Sequence, residues 1–270
     1  MKTRIITGAA LIALLAFGLT MGGWVFSALF LIFTLMSVYE VFKALKAAGR
    51  NIVTWPIWLC ALLIFPLFFI FGSVTVLLPL VIFNFALVAG AVMFQKEPHL
   101  EDVFFSAMPL FCVILPAMCM LGLQNAPKRE YEVMLILMAF GIPLVGDTAA
   151  YFIGKAFGRR HYCPAISPNK TLEGAVAGLA GSMLFSVLMY FIFMNFVLVP
   201  PLWHFLLLGL MGGVMGQEGD LFASFIKRYC GIKDYGSIFP GHGGFMDRLD
   251  STYWATVVMY LYLNLYYLWK

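Results

Sequence analysis

Runs of about twenty apolar side chains follow one another along almost the whole chain, and this repeat limits what it can fold into more than any other feature. Crossing the hydrocarbon core of a bilayer takes about 20 apolar residues in helical form. Nine such runs are readable, at about 5–21, 24–42, 53–71, 74–94, 103–123, 132–154, 174–198, 202–226 and 252–269. Hydrophobic residues make up 63% of the 270 positions and charged residues 11%, against about 25% charged in a soluble domain. A water-soluble fold has no way to hide that much apolar surface. No strand-like alternation, internal repeat or low-complexity linker is visible. The expected fold is all-α, a polytopic transmembrane helix bundle of about nine spans. It forms a single integral-membrane domain over 1–270, with N-terminal helices in 1–130 and catalytic helices and loops in 131–270.

The charges are unevenly distributed. With nine spans, Lys128, Arg129 and Lys270 fall on one side, and the other fourteen of the seventeen Lys and Arg residues fall on the opposite side. The excess of basic residues in cytoplasmic loops then places the N-terminus and the charged loops in the cytoplasm. Lys2 and Arg4 ahead of the first apolar run imitate a secretory leader, but the run passes straight into the next span without a small-x-small cleavage site. The net charge of +4 is modest and no large soluble face is present to carry it, so nucleic acid is not an expected partner. Cys60, Cys112, Cys119, Cys163 and Cys230 form no C-x-x-C pair and read as small buried hydrophobes.

Some carboxylates stand where a bilayer disfavours them. Asp147 lies inside the sixth run, and Glu218 and Asp220 inside the eighth. Each costs roughly 2.5–3.5 kcal/mol on insertion scales unless it is paired or solvated, so a polar cavity, a partner charge or an ion is expected beside it. Beyond Asp220 the polar residues continue to 251. If 217–229 is helical, Asp220, Ser224, Lys227 and Arg228 share a face, and Gly231 is a suitable helix stop. Pro240-Gly241-His242-Gly243-Gly244 reads as a flexible turn whose amides approach a ligand closely. Asp247 and Asp250 follow, one helical turn apart. Carboxylates, four cations and glycine amides suit Mg2+ and phosphate together, because Mg2+ takes a few carboxylate oxygens and completes its shell with water and phosphate.

A second polar block spans 147–174. Asp147, Tyr151, Lys155, Arg159 and Arg160 precede Ser167-Pro168-Asn169-Lys170-Thr171-Leu172-Glu173-Gly174. The two arginines suit headgroup contacts. Ser167-Pro168 reads as a turn, and Lys170 and Glu173 have the spacing of an ion pair at a helix start. Both blocks are expected on the cytoplasmic side.

The segment 224–250 resembles the signature of CDP-diacylglycerol synthases, the phosphatidate cytidylyltransferases. The matching positions are Ser224, Lys227, Arg228, Lys233, Asp234, Gly236, Pro240, His242, Gly243, Gly244, Phe245, Asp247, Arg248, Leu249 and Asp250. Phe239 departs from the usual Leu or Ile, an apolar exchange. Residues 167–174 and the Asp-x-x-Ala-Tyr at 147–151 are also similar, so the specific likeness covers about 147–251.

The resemblance implies transfer of CMP from CTP to phosphatidic acid at the cell membrane, with an active site facing the cytoplasm, releasing pyrophosphate. It implies Asp220, Lys227, Arg228, Asp247 and Asp250 as catalytic. Asp220 and Asp247 are the implied ligands of Mg2+, with room for a second metal ion. Ser167, Lys170, Glu173, Ser224, Lys233, Asp234, His242, Gly243, Gly244 and Arg248 are implied in binding phosphate or nucleotide. The lipid arrives laterally from the bilayer, and a homodimer is compatible with the family. Two rival readings stay open: a CTP-dependent lipid or polyprenol kinase, and a membrane transporter.

Overall fold

Without water in a bilayer core, a backbone must satisfy its own polar groups, and helices do so within one segment. The computed structural model, which describes residues 2–268, is built in this way. Side-chain surroundings are described for residues 7–265. Trp269 and Lys270, which close the last expected span and its charge count, lie outside the described residues, as do the side chains of Lys2 and Arg4. Ten helices follow in order: α1 (Lys2–Met21), α2 (Gly23–Ala47), α3 (Trp55–Phe71), α4 (Leu78–Met93), α5 (Leu100–Pro109), α6 (Leu115–Leu123), α7 (Arg129–Phe157), α8 (Leu172–Phe193), α9 (Leu202–Tyr229) and α10 (Met246–Leu268). Among the described residues the only strand-like pairings are two isolated bridges, His161 with Thr171 and Phe239 with Gly243.

Each of the nine apolar runs coincides with a helix or, for the fifth, with a joined pair. There, α5 and α6 are linked by a π-helical turn, Leu110–Ile114, directly after Pro109. Proline removes a backbone donor inside a helix, and a π turn is one way to accommodate the fault. Among the described residues, five helical segments are long and apolar enough to cross a membrane: Gly23–Ala47, Thr75–Met93, Leu100–Leu123, Arg129–Phe157 and Leu172–Phe193. The helices α9 and α10 have 28 and 23 residues and so have the length, but they carry the acidic and basic residues noted above.

The chain divides into two compact units: Met1–Gly122 with Lys227–Leu249, and Leu123–Ile226 with Asp250–Lys270. In the first, α2 buries Phe26, Phe30, Val38, Val41 and Leu45 along one face. Arg50, just beyond α2, pairs with Glu101 at 3.0 Å. Its guanidinium also lies 4.6 Å from the Phe105 ring and 5.1 Å from the Tyr229 ring, so its stem and charge are both used.

In the second unit, α7 and α8 approach so closely that small residues are obligatory. A Cβ on Gly146 would stand 2.5 Å from Ser182 Oγ, and one on Gly178 would stand 3.1 Å from the Gly146 carbonyl. Ser182 donates to the Ile142 carbonyl across this contact at 3.0 Å. Small residues with a bridging hydroxyl are how helices associate where burial against lipid supplies little driving force.

Candidate functional site

The end of α9 is fixed by its sequence. The Gly231 amide donates to the Arg228 carbonyl and the Ile232 amide to the Lys227 carbonyl, at 3.1 and 2.9 Å. Gly231 has φ +67°. This pair of bonds is the Schellman closure that a left-handed glycine permits, and Gly231 stops the helix as expected. The chain then folds into a second turn. His242 donates to the Phe239 carbonyl at 2.8 Å, and Phe239 donates to that of Gly243 at 2.9 Å. Pro240 at the second position of this turn and Gly241, with φ +78°, at the third form the type II pattern.

The sequence suggests a flexible turn whose amides approach a ligand closely, and in the structure two of its amides are already engaged. The amides of His242 and Gly244 are spent within this segment. What they surround is Asp247, in the first turn of α10. Its Oδ2 accepts from the amides of Tyr235 at 2.8 Å and Gly244 at 3.0 Å. Its Oδ1 accepts from Lys227 Nζ at 2.8 Å. The Asp247 side chain is 3% exposed and that of Lys227 11%, and the lysine ammonium also faces the Tyr235 ring at 5.5 Å. Gly243 is required here on two grounds. Its φ is +80°, and a Cβ would stand 2.6 Å from Asp247 Oδ2.

In the other unit, the loop of residues 158–171 brings Lys170 to α9. Lys170 Nζ lies 2.6 Å from Asp220 Oδ2, with both side chains about a quarter exposed. Ser224, one turn along, donates to Asp220 Oδ1 at 3.5 Å. Burial alone would lower the Lys170 pKa, but the Asp220 carboxylate outweighs it, with help from Tyr162 and Asp147, and holds the amine above its ordinary value.

Lys170 and Glu173 do not form the expected helix-start pair. Thr171 is the N-cap of α8, its hydroxyl accepting from the Gly174 amide at 3.2 Å. Lys170 therefore precedes the helix, where helical spacing does not apply. Glu173 instead accepts from the amides of Arg159 and Arg160 at 3.0 and 3.2 Å, tying the loop's start to the helix.

The remaining expected residues are distributed as follows. Ser167 closes a turn onto the Cys163 carbonyl at 2.9 Å. Arg228, Lys233, Asp234 and Arg248 are exposed, Arg228 reaching the Ile232 carbonyl at 3.3 Å. His242 Nδ1 is buried with no hydrogen-bond partner among the described residues. Asp250 Oδ1 accepts from the Ser251 amide at 2.7 Å.

Sequence reasoning misses Glu40. This carboxylate lies in the second apolar run, is 2% exposed and accepts from the Met246 amide at 2.8 Å. The signal for it was present: the rule that singled out Asp147 and Glu218, an acid inside an apolar run, applies equally to Glu40.

Among the described residues no group of three or more His, Cys, Asp and Glu side chains is placed to hold a metal ion. Mg2+ commonly takes one or two carboxylates and leaves the rest of its shell to water and phosphate, so smaller donor sets fit its chemistry. Asp220 offers hard oxygens in a partly exposed setting, with Oδ1 only weakly engaged. Asp247 offers the same donors with both oxygens engaged.

The model of the cytidylyltransferase family matches residues 2–266 of the chain. Curated relatives include the phosphatidate cytidylyltransferases of Staphylococcus haemolyticus, 40% identical over 142 residues, and of Bacillus subtilis, 39% identical over 138. That of Staphylococcus aureus is 41% identical over 143. These matches cover 52, 51 and 52% of this chain and 54, 50 and 54% of the relatives, so the chain spans about half the length of the curated relatives it matches. The family match, in contrast, runs through both units and every helix described above, and on it this all-helical membrane protein belongs to the cytidylyltransferase family.

Proposed function

We propose that the protein transfers CMP from CTP to phosphatidic acid, giving CDP-diacylglycerol and pyrophosphate. In this reading a phosphate oxygen of phosphatidate attacks the α-phosphorus of CTP. The bond from that phosphorus to the bridging oxygen breaks, and pyrophosphate leaves. The nucleophile is already ionised, so no general base is needed. The chain's task is to bring two anions together and to stabilise the charge that develops.

The buried Lys227–Asp247 pair, wrapped by the glycine turn, carries this reading. A buried ion pair is weak as a stabilising device, because desolvation consumes most of its Coulombic gain. A chain that keeps so few charges and sequesters two of them needs them for something else. Lys227, with the exposed Arg228, Lys233 and Arg248, takes the role of binding phosphate oxygens, and Lys170 has the same role beside Asp220. Ser167 and Ser224 are assigned to hydrogen bonds with nucleotide or lipid phosphate. His242 is a phosphate ligand in this scheme, Asp234 a polar support and Asp250 a further acidic group near the start of α10. Glu173 acts by holding the loop that carries Lys170.

Asp220 and Asp247 are the carboxylates we assign to Mg2+, which when bound would neutralise phosphate charge and stabilise the leaving pyrophosphate. We further propose nine crossings, with the N-terminus and both polar blocks on the cytoplasmic side of the cell membrane. The excess of basic residues on that side supports this orientation.

The test uses the purified full chain in lipid nanodiscs with Mg2+, labelled CTP and phosphatidate. CDP-lipid and pyrophosphate should appear together. A phosphorylated lipid with free CDP would instead establish a kinase, and ion flux without CTP consumption a transporter. Asp220→Asn and Asp247→Asn should each abolish Mg2+-dependent turnover, and full activity in both would sink the metal assignment.

A further inference from the structure

The Glu40 carboxylate is separated from its partner by 206 positions in sequence and comes from the N-terminal helices, to which the likeness assigns no role. It sits on α2, a helix otherwise uncharged up to Lys43. Phe33, two turns earlier on α2, meets Phe245 edge-to-face at 4.8 Å and 87°, so this stretch of α2 lies against the glycine turn.

Three observations converge there. First, Glu40 Oε2 accepts from the amide of Met246, the first residue of α10. The opening amides of a helix have no partner within it and carry the positive end of its dipole, so a carboxylate fits. Second, a Cβ on either Gly236 or Gly244 would overlap the Glu40 carboxyl group. These two motif glycines are therefore explained by Glu40 and not by a ligand. Third, Glu40 Oε1 has no hydrogen-bond partner among the described residues. Burying a carboxylate with one oxygen unused is costly. Asp247 follows Met246 directly, and its Oδ2 is bound by the amide of Gly244, one of the glycines against Glu40.

We propose that Glu40 is a positioning residue for cytidylyl transfer: it fixes the start of α10 and the glycine turn, and through them the aim of the Asp247 carboxylate. The proposal rests on the function inferred above. Glu40 touches no reacting group and contributes by geometry, through hydrogen-bond acceptance.

The test compares wild type with Glu40→Ala and Glu40→Gln in nanodiscs. Glu40→Ala should lower kcat about tenfold or more, as expected for a misaimed catalytic group. The KM for CTP should move by less than about threefold, the sign of an effect on the transition state and not on binding. Glu40→Gln keeps an oxygen for the Met246 amide and should stay within about threefold of wild type in kcat. Adding Gly236→Ala to Glu40→Ala should cost less than Gly236→Ala does alone, because the carboxyl group it would strike is gone and only the contact with Gly244 Cα at 3.1 Å remains. Full additivity of the two changes would overturn the shared contact.

Hydrogen exchange over residues 235–246 reads the same anchor without turnover. It should quicken in Glu40→Ala and stay near wild type in Glu40→Gln. If Glu40→Ala keeps kcat within twofold, or its exchange is unchanged, the proposal fails. If Glu40→Gln loses as much as Glu40→Ala, the charge and not the position is what matters, and the proposal also fails. A wild type that makes no CDP-lipid refutes the functional reading instead, and the exchange result still decides whether Glu40 anchors the turn.

Discussion

Gly231 and Gly243 form a controlled pair. Both have a left-handed backbone, φ +67° and +80°, so alanine meets a similar backbone penalty at each, about 1–2 kcal/mol. They differ in what the added methyl meets. Nothing lies within 4 Å of a Cβ on Gly231, whereas one on Gly243 stands 2.6 Å from Asp247 Oδ2. Ordinary contact begins at 3.4 Å, so the carboxylate must withdraw by about 0.8 Å, measured against normal van der Waals spacing. The bonds to Oδ2 from Tyr235 and Gly244 are 2.8 and 3.0 Å long. A shift of that size takes at least one of them past hydrogen-bonding range.

A hydrogen bond to a charged group is worth about 1.5–3 kcal/mol. Gly243→Ala should therefore cost about 2.5–5 kcal/mol in all, against about 1–2 kcal/mol for Gly231→Ala. The assay is the free energy of unfolding of each variant in mixed micelles under SDS titration, with cytidylyl transfer measured on the same preparations. Gly231→Ala should keep its activity within about twofold, and Gly243→Ala should lose most of it. Equal destabilisation in the two variants would refute the reasoning, because it would mean that the Asp247 carboxylate does not occupy the space that Gly243 leaves.

Other consequences are measurable. Lys170 has its amine held above its ordinary value by Asp220, so the stability its charge supplies is complete below the unfolded lysine value and is lost as pH rises through the raised one. At pH 9 an amine-reactive reagent should label it far more slowly than the exposed Lys233, and equal rates would argue against the pair. Glu173→Gln weakens the hold on the amides of Arg159 and Arg160, and hydrogen exchange at those two amides should quicken while α8 beyond its first turn stays protected. Thr171→Ala removes the N-cap of α8, which should cost about 1 kcal/mol in the same SDS titration, with Thr171→Ser restoring it.

How much of this was legible in the sequence depends on how far apart the partners are. The helices were readable because an apolar run is a local property, and each of the nine runs is largely helical over its described residues. The stop at Gly231 and the turn at Pro240-Gly241 were readable for the same reason, since proline and glycine at adjacent turn positions impose the geometry. The π turn after Pro109 has a visible cause but no visible form, because proline also kinks or ends helices. The pairing of Lys170 was misread because its spacing to Glu173 imitates a helical pair, while the helix begins only after Thr171. Asp220, its actual partner, is fifty residues away. Glu40 was legible as an acid inside an apolar run, and only its partner, 206 positions away, was hidden by distance.

Four of the buried or half-buried acids sort themselves by what holds them. Asp220 and Asp247 each face a lysine ammonium, and Asp247 also accepts from two backbone amides through its other oxygen. Glu40 and Glu173 are held by backbone amides. The difference has a chemical consequence. A lysine–carboxylate pair can exchange partners without stranding a charge: the ammonium moves to a phosphate and the carboxylate to a cation, and every ion remains neutralised. An amide bound to a carboxylate has no such freedom, because its position is fixed by the helix or turn that carries it, and releasing it leaves a buried donor unpaired at about 1–3 kcal/mol. The lysine-held oxygens, on Asp220 and on Oδ1 of Asp247, are therefore the ones suited to exchanging partners with a phosphorylated substrate and a cation, and the amide-held oxygens are suited to keeping the frame still. Removal of charge separates the classes. An Asp→Asn change at 220 or 247 deletes the exchangeable ion, whereas Glu40→Gln preserves the acceptor that the Met246 amide requires.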